Sequence, residues 1–143
     1  MLKKVLVVAP HPDDEALGCV GALLRRKSEG AELGWLIVTG ISEEAGWSAE
    51  CVQNRDSEIE KVVDLIGFNR VFNLCLPTTQ LDTLPLSDLI DKFSVVFKEF
   101  QPQEIFVPHY SDVHTDHRLV FDATAACTKW FRYPCVKRVL AYE

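Results

Sequence analysis

The chain has 143 residues, 48% of them hydrophobic, and a formal charge of −6 from 15 Lys and Arg against 21 Asp and Glu. That length and apolar content suit one globular domain with a sizeable core, and the acidic balance excludes the basic stripe that nucleic-acid phosphates demand. No segment approaches the ~20 consecutive apolar residues of a membrane-spanning helix.

The start, Met1-Leu2-Lys3-Lys4, imitates the charged part of a secretory signal. The apolar run behind it, Val5 to Ala9, is too short for one and meets Pro10 at once. A cytoplasmic location is the expectation. That run reads instead as a first strand, Lys4–Ala9. Pro10-His11-Pro12-Asp13-Asp14-Glu15 follows, where the two prolines push Ala9 and His11 towards extended backbone, so His11 leaves the strand stiffly. Asp13 or Asp14 can cap the next helix, about Asp14–Glu29, because free N–H groups and the helix dipole favour a carboxylate there. A turn plus an acidic helix start would be the bland reading of this cluster.

Gly30 then reads as a helix stop, with a second strand over Glu32–Thr39. The segment Gly40–Ser48, which carries Trp47, leads into a helix over Ser48–Ile66 closed by Gly67. A strand over Arg70–Leu74 and a helix over Leu86–Phe100 come next, and Pro102 stops that helix from continuing. The strand Glu104–Val107 precedes His109 and Tyr110 and the run Asp112-Val113-His114-Thr115-Asp116-His117. A helix about His114–Lys129 and a strand Lys137–Tyr142 complete the alternation. If that helix begins near Ser111 or Asp112, His114 and His117 share a face of its first turn. Asp116 could then orient a neighbouring imidazole by accepting its second ring proton.

Alternating strands and helices imply a mostly parallel sheet with right-handed crossovers. Ligands of such sheets bind beyond the carboxyl ends of the strands, and both histidine clusters fall there. All four histidines of the chain (His11, His109, His114, His117) lie in these two short segments. Two histidines and a carboxylate suit one divalent metal with an open position. The five cysteines are widely spaced and contain no C-x-x-C, so they read as small buried hydrophobes in a reducing compartment.

Pro-His-Pro-Asp-Asp-Glu after the first strand, followed downstream by Asp-x-His-x-Asp-His (Asp112, His114, Asp116, His117), resembles the PIG-L/LmbE-like zinc-dependent de-N-acetylases. The resemblance covers essentially the whole chain. It implies a single catalytic-core domain over residues 1–143, α/β and Rossmann-like, with helices on both faces of a mostly parallel sheet. It also implies that the family's C-terminal portion, which walls the substrate pocket, is lacking. By position, His11, Asp14 and His117 would be the metal ligands and Asp13 the general base toward metal-activated water. His114 would stabilise the oxyanion or protonate the leaving amine, and Asp116 completes the catalytic group. Arg55 matches a family arginine that contacts substrate hydroxyls. Apart from the resemblance, His109 at the expected mouth of the site and Trp47 on the Gly40–Ser48 segment facing the same crevice are candidate substrate contacts by placement.

The activity implied is removal of an acetyl group from an N-acetylglucosamine-type conjugate, a small-molecule amino-sugar substrate. Zinc is the implied metal, although the donor set also accommodates Fe(II) or Mn(II). No nucleic acid or membrane span is expected, and a homo-oligomer is compatible with the sequence. The family's paired glycines are replaced here by Cys19-Val20-Gly21, leaving Gly18 and Gly21 to allow close helix approach. Two rivals stand beside this reading. One is a ferrous-iron oxygenase, disfavoured by the alternating fold. The other is a catalytically silent sugar- or metal-binding module, for which no glycine-rich phosphate loop speaks.

Overall fold

The computed structural model describes residues 3–143. Five strands form one sheet: β1 (Lys4–Ala9), β2 (Glu32–Gly40), β3 (Arg70–Pro77), β4 (Glu104–Pro108) and β5 (Arg138–Tyr142). All neighbours pair in parallel, in the order β3-β2-β1-β4-β5. The helices are α1 (Asp14–Ser28), α2 (Ala49–Ile66), α3 (Leu86–Phe100) and α4 (Thr115–Ala126), with a short 3-10 turn at Leu81–Thr83.

Strands β1, β2 and β4 lie inside the sheet, and their apolar runs are buried almost throughout. The outer strands β3 and β5 are mostly exposed or partly buried, apart from the buried Tyr142 at the end of β5. Leu6 and Val8 face a core built with α3 and α4, including Phe93, Phe97, Phe100 and Val120. Val5, Val7 and Ala9 face the opposite way, towards Leu23 of α1 and Ile66 of α2. Alternation along β1 thus builds two cores, one on each face.

Helix α3 buries Leu89, Phe93, Val96, Phe97 and Phe100, while its N-cap Pro85 makes no side-chain capping bond. A cap contributes ~1 kcal/mol and each buried side chain about 1.5–3 kcal/mol, so burial holds this helix in place. Gly67 closes α2 in the left-handed region, its N–H on the Val63 carbonyl at 2.9 Å.

Four local features differ from the sequence expectations. Helix α1 is kinked at Cys19 (φ −148°, ψ 18°), beside the point where Gly18 lies under Tyr142; a Cβ on Gly18 would overlap that ring. Gly21 has open space around it, so Gly18 alone serves the close approach. Strand β3 runs on to Pro77 through a register shift opposite Ile37–Thr39, with Cys75 at φ 51°. Helix α4 begins one residue late, at Thr115, and stops at Ala126. Finally, Cys19 and Cys127 are buried as expected, whereas Cys51 and Cys75 are exposed. Among the described residues, no helix is long and apolar enough to cross a membrane.

Candidate metal centre

The strand order reverses between β1 and β4, where the connections leaving the two strands part and open a crevice. His11, two residues past β1, and the segment after β4 meet there. Thr39 braces the first turn: its N–H and its hydroxyl both donate to the Pro10 carbonyl, at 3.0 and 2.7 Å. Asp14 begins α1 and its Oδ2 accepts the His11 backbone N–H at 2.8 Å. Asp13 occupies the N-cap position without a side-chain capping bond and is exposed. The capping expected of these aspartates is absent, because Asp14 turns back to His11 and Asp13 turns to solvent.

His114 is the N-cap of α4: its Nδ1 accepts the Asp116 N–H at 3.1 Å. That bond, rather than a helix begun at Ser111 or Asp112, sets where α4 starts. With Nδ1 occupied as an acceptor, the neutral ring carries its hydrogen on Nε2.

Donor atoms of His11, Asp14 and His117 lie within 4.8 Å of one another. The spacing is informative. His11 Nδ1 and His117 Nε2 each stand 3.3 Å from Asp14 Oδ2, which is the edge of a tetrahedron whose centre lies about 2.0–2.1 Å from each corner. The other nitrogen of each ring is committed to a carboxylate. His11 Nε2 donates to Asp116 Oδ2 at 3.0 Å, and His117 Nδ1 donates to Asp112 Oδ2 at 3.0 Å. Both imidazoles therefore have the carboxylate–histidine arrangement that orients metal ligands and fixes their tautomers. The donor set fits a zinc-like cation.

The electrostatics agree with the geometry. The hydrogen bond to Asp14 leads in raising His11 above the ordinary histidine value; burial works against it and Asp116 adds to it. Burial alone would lower His117, but Asp14 and Asp112 outweigh it and the net shift is upward. For Asp14, burial pushes the carboxyl up, yet the bonds from His11 and His117 hold it well below the usual carboxylate range. Burial likewise opposes, and the His114 N–H and His117 overcome it, in lowering Asp112.

His114 and Asp116 join His11 in a second, overlapping group of donors. The His114 ring lies 4.7 Å from His11 and 5.2 Å from His117, centroid to centroid. His109 is held apart from the cluster: its Nδ1 accepts the Ser111 N–H and hydroxyl, and its ring stacks on Tyr110 at 4.4 Å. With Ser111, Asp112, Val113 and Glu143 it lines a cavity of about 260 Å³. Arg55 pairs with Glu58 on α2 at 3.4 Å, and Trp47 is 45% exposed. No hydrogen bond or ion pair joins Arg55 or Trp47 to the histidine cluster among the described residues.

Three contributors lay beyond the sequence reading. Asp112 entered it only as part of a motif, whereas the structure places it as the partner of His117. Thr79 and Leu81, on the β3–α3 connection, donate backbone N–H groups to Asp116 at 2.7 and 3.3 Å; backbone amides leave no compositional signal.

A parallel α/β fold with two histidines and an aspartate converging at its switch point defines a protein of the doubly wound class, with a candidate metal site where such folds bind ligands. Residues 6–128 match the GlcNAc-PI de-N-acetylase (PIG-L) family, and the chain belongs to that family of deacetylases. It is 25% identical to the uncharacterized deacetylase YaiS of Escherichia coli over 147 residues, spanning 99% of this chain and 74% of that protein. The conserved protein TT1542 of Thermus thermophilus superposes with a TM-score of 0.79 at 30% identity, over 99% of this chain and 66% of its own. The N,N'-diacetylchitobiose deacetylase of Pyrococcus horikoshii gives 0.77 at 25% identity, over 95% and 53%. The chain thus spans between about half and three quarters of the length of these relatives.

Proposed function

We propose that this protein is a metal-dependent hydrolase that removes the acetyl group from an N-acetylated amino sugar of the N-acetylglucosamine type within a larger conjugate. The observation that carries this reading is the convergence of His11, Asp14 and His117, with each imidazole 3.3 Å from the Asp14 carboxylate and a second carboxylate behind it. When bound there, zinc supplies a water acidified to a pKa of about 7 and a Lewis acid for the amide carbonyl.

The chain's own residues divide the remaining work. Asp13, exposed and free of any capping bond, takes the proton of the attacking water. His114 offers Nε2–H to the carbonyl oxygen as it gains charge; the Asp116 N–H on Nδ1 supports this over a role as proton source for the amine. The proton held by Asp13 then passes to the departing nitrogen, so water and amide become free amine and acetic acid, which releases the second water proton to solvent as it ionises to acetate. Asp116 acts behind His11 and Asp112 behind His117.

Trp47 and His109 lie on the connections leaving β2 and β4, the side of the sheet where substrate would enter, and Arg55 follows in the second turn of α2. We assign these three to substrate contact. The family match and the diacetylchitobiose deacetylase relative, whose names specify N-acetylated sugars, support the substrate class.

The test is Asp13→Asn assayed on N-acetylated amino sugars beside metal analysis. The expected outcome is wild-type metal content with turnover lowered about 10²–10⁴-fold. Full activity in that variant would remove Asp13 from the mechanism.

A further inference from the structure

The β3–α3 connection contributes no ligand to the cluster, yet it contains the oddest backbone near it. Thr79 has φ 61°. For a β-branched residue this left-handed conformation is a genuine outlier, and it persists only where the surroundings over-determine it. Neighbouring hydrogen bonds do not require it: Gln80 N–H reaches Pro77 O at 3.3 Å and the Thr79 hydroxyl reaches Thr78 O, contacts that an ordinary turn also makes. What the conformation achieves is to aim the Thr79 N–H at Asp116 Oδ2, 2.7 Å away. Leu81, two residues on and 1% exposed in the core, points its own N–H at the other oxygen.

Asp116 is fully buried, and its Oδ2 also accepts His11 Nε2. Three N–H groups from two separate segments therefore converge on one carboxylate, with no lysine or arginine among them. Leu81 anchors the strap in the core, the strained residue sets its angle, and Asp116 passes that angle to the His11 ring.

We propose that Thr79 is a positioning residue of the metal centre: its backbone N–H, held in place by the left-handed turn and the buried Leu81, locks Asp116 so that His11 keeps its hydrogen on Nε2 and presents Nδ1 to the cation. The inference rests on the reading of His11, Asp14 and His117 as metal ligands. It extends the centre to an exposed threonine on a third connection, one that reaches the three ligands only through Asp116. A surface threonine with no such role would tolerate any substitution that folds.

The experiment compares full-length wild type, Thr79→Pro and Thr79→Gly. Proline removes the N–H and cannot adopt φ 61°, whereas glycine keeps the N–H and adopts that φ without strain. Zinc affinity is read by chelator competition, and the His11 tautomer by ring-nitrogen NMR of the metal-free protein. Thr79→Pro is expected to bind zinc about 10–100-fold more weakly, the usual penalty for losing an outer-shell partner, and to lose the single Nε2–H form of His11. Thr79→Gly is expected to restore both. A folded Thr79→Pro with wild-type affinity and tautomer overturns the proposal.

Where the proline variant does not fold, amide exchange in the wild type decides. Thr79 N–H is expected to be protected although its residue is exposed, and to lose protection in Asp116→Ala, which removes the acceptor; exchange at the free-peptide rate in the wild type overturns the proposal. If the wild type binds no zinc, the ligand reading fails, and the His11 tautomer and Thr79 exchange still test the strap by themselves.

Discussion

Glu104 and Asp116 are both fully buried carboxylates, at opposite ends of the sheet. Glu104 opens β4, and Arg26 from the last turn of α1 grips it at 2.6 Å while Arg138 from β5 grips it from the other side. Asp116 sits beyond the end of the same strand and faces two backbone amides and one imidazole. Asp13, Asp14, Glu15 and Asp112 crowd the same end, and Arg118 there spends its guanidinium on the carbonyls of Asp112 and Val113. Fixed cations close one end of the sheet and make it structural. The other end is left short of positive charge, as the proposed metal centre requires.

Breaking the closed end is the larger perturbation. Removing one partner of a buried ion pair costs about 3–5 kcal/mol; Arg138 still covers Glu104 after Arg26→Met, so a loss of ~2–3 kcal/mol is expected in chemical denaturation. Zinc affinity of the folded Arg26→Met protein should be unchanged. A fall in affinity would show that the two ends are coupled.

At the open end, Asp112→Asn leaves His117 with a poorer acceptor behind it. Zinc affinity is expected to drop about 10–100-fold, with stability of the metal-free protein little altered. Equal affinity in the two proteins would strip Asp112 of its orienting role.

Glu15 sharpens the contrast, because it is buried at the open end with neither carboxylate oxygen bonded among the described residues. Burial, helped by the charges of Asp13 and Asp14, pushes its pKa up to about 7. A carboxyl raised on folding binds its proton more tightly in the native state. Stability is therefore lost as pH rises from the ordinary carboxylate value to about 7. Glu15→Gln is expected to flatten that decline in the metal-free protein and to gain about 1–2 kcal/mol at pH 8. A variant with the wild-type pH slope would mean that another group carries it.

Much of this was legible in the residues. Lys4–Ala9 and Leu86–Phe100 agree with their elements to the residue, since apolar runs ended by Pro10 and Pro102 leave few alternatives. Scarce histidines just past two strands marked the His11 and His114–His117 segments, whereas the choice of His11, Asp14 and His117 among them came from the resemblance to PIG-L/LmbE-like proteins; the structure brings the donor atoms of those three within 4.8 Å. The rest depended on contacts between distant segments. Nothing around Thr79 marks a left-handed turn, because the usual signal is glycine or asparagine; only the buried carboxylate across the crevice makes that conformation worthwhile. The close approach of Gly18 to Tyr142, beside the kink at Cys19, likewise joins segments more than a hundred residues apart. The start of α4 lies within one residue of the expected His114, but its cap could not be read from composition, because capping is ordinarily the work of Ser, Thr, Asp or Asn and here an imidazole does it.

The most direct test of the open end as a metal centre is zinc binding measured across pH in the wild type beside His117→Ala. One zinc per chain is expected in the wild type. Because His11 and His117 are both raised above 6.5, affinity should begin to fall above that pH as it is lowered and continue falling through the histidine range. His117→Ala should bind none stoichiometrically. Equal binding by the two proteins, or wild-type binding indifferent to pH between 5 and 8, would contradict the account.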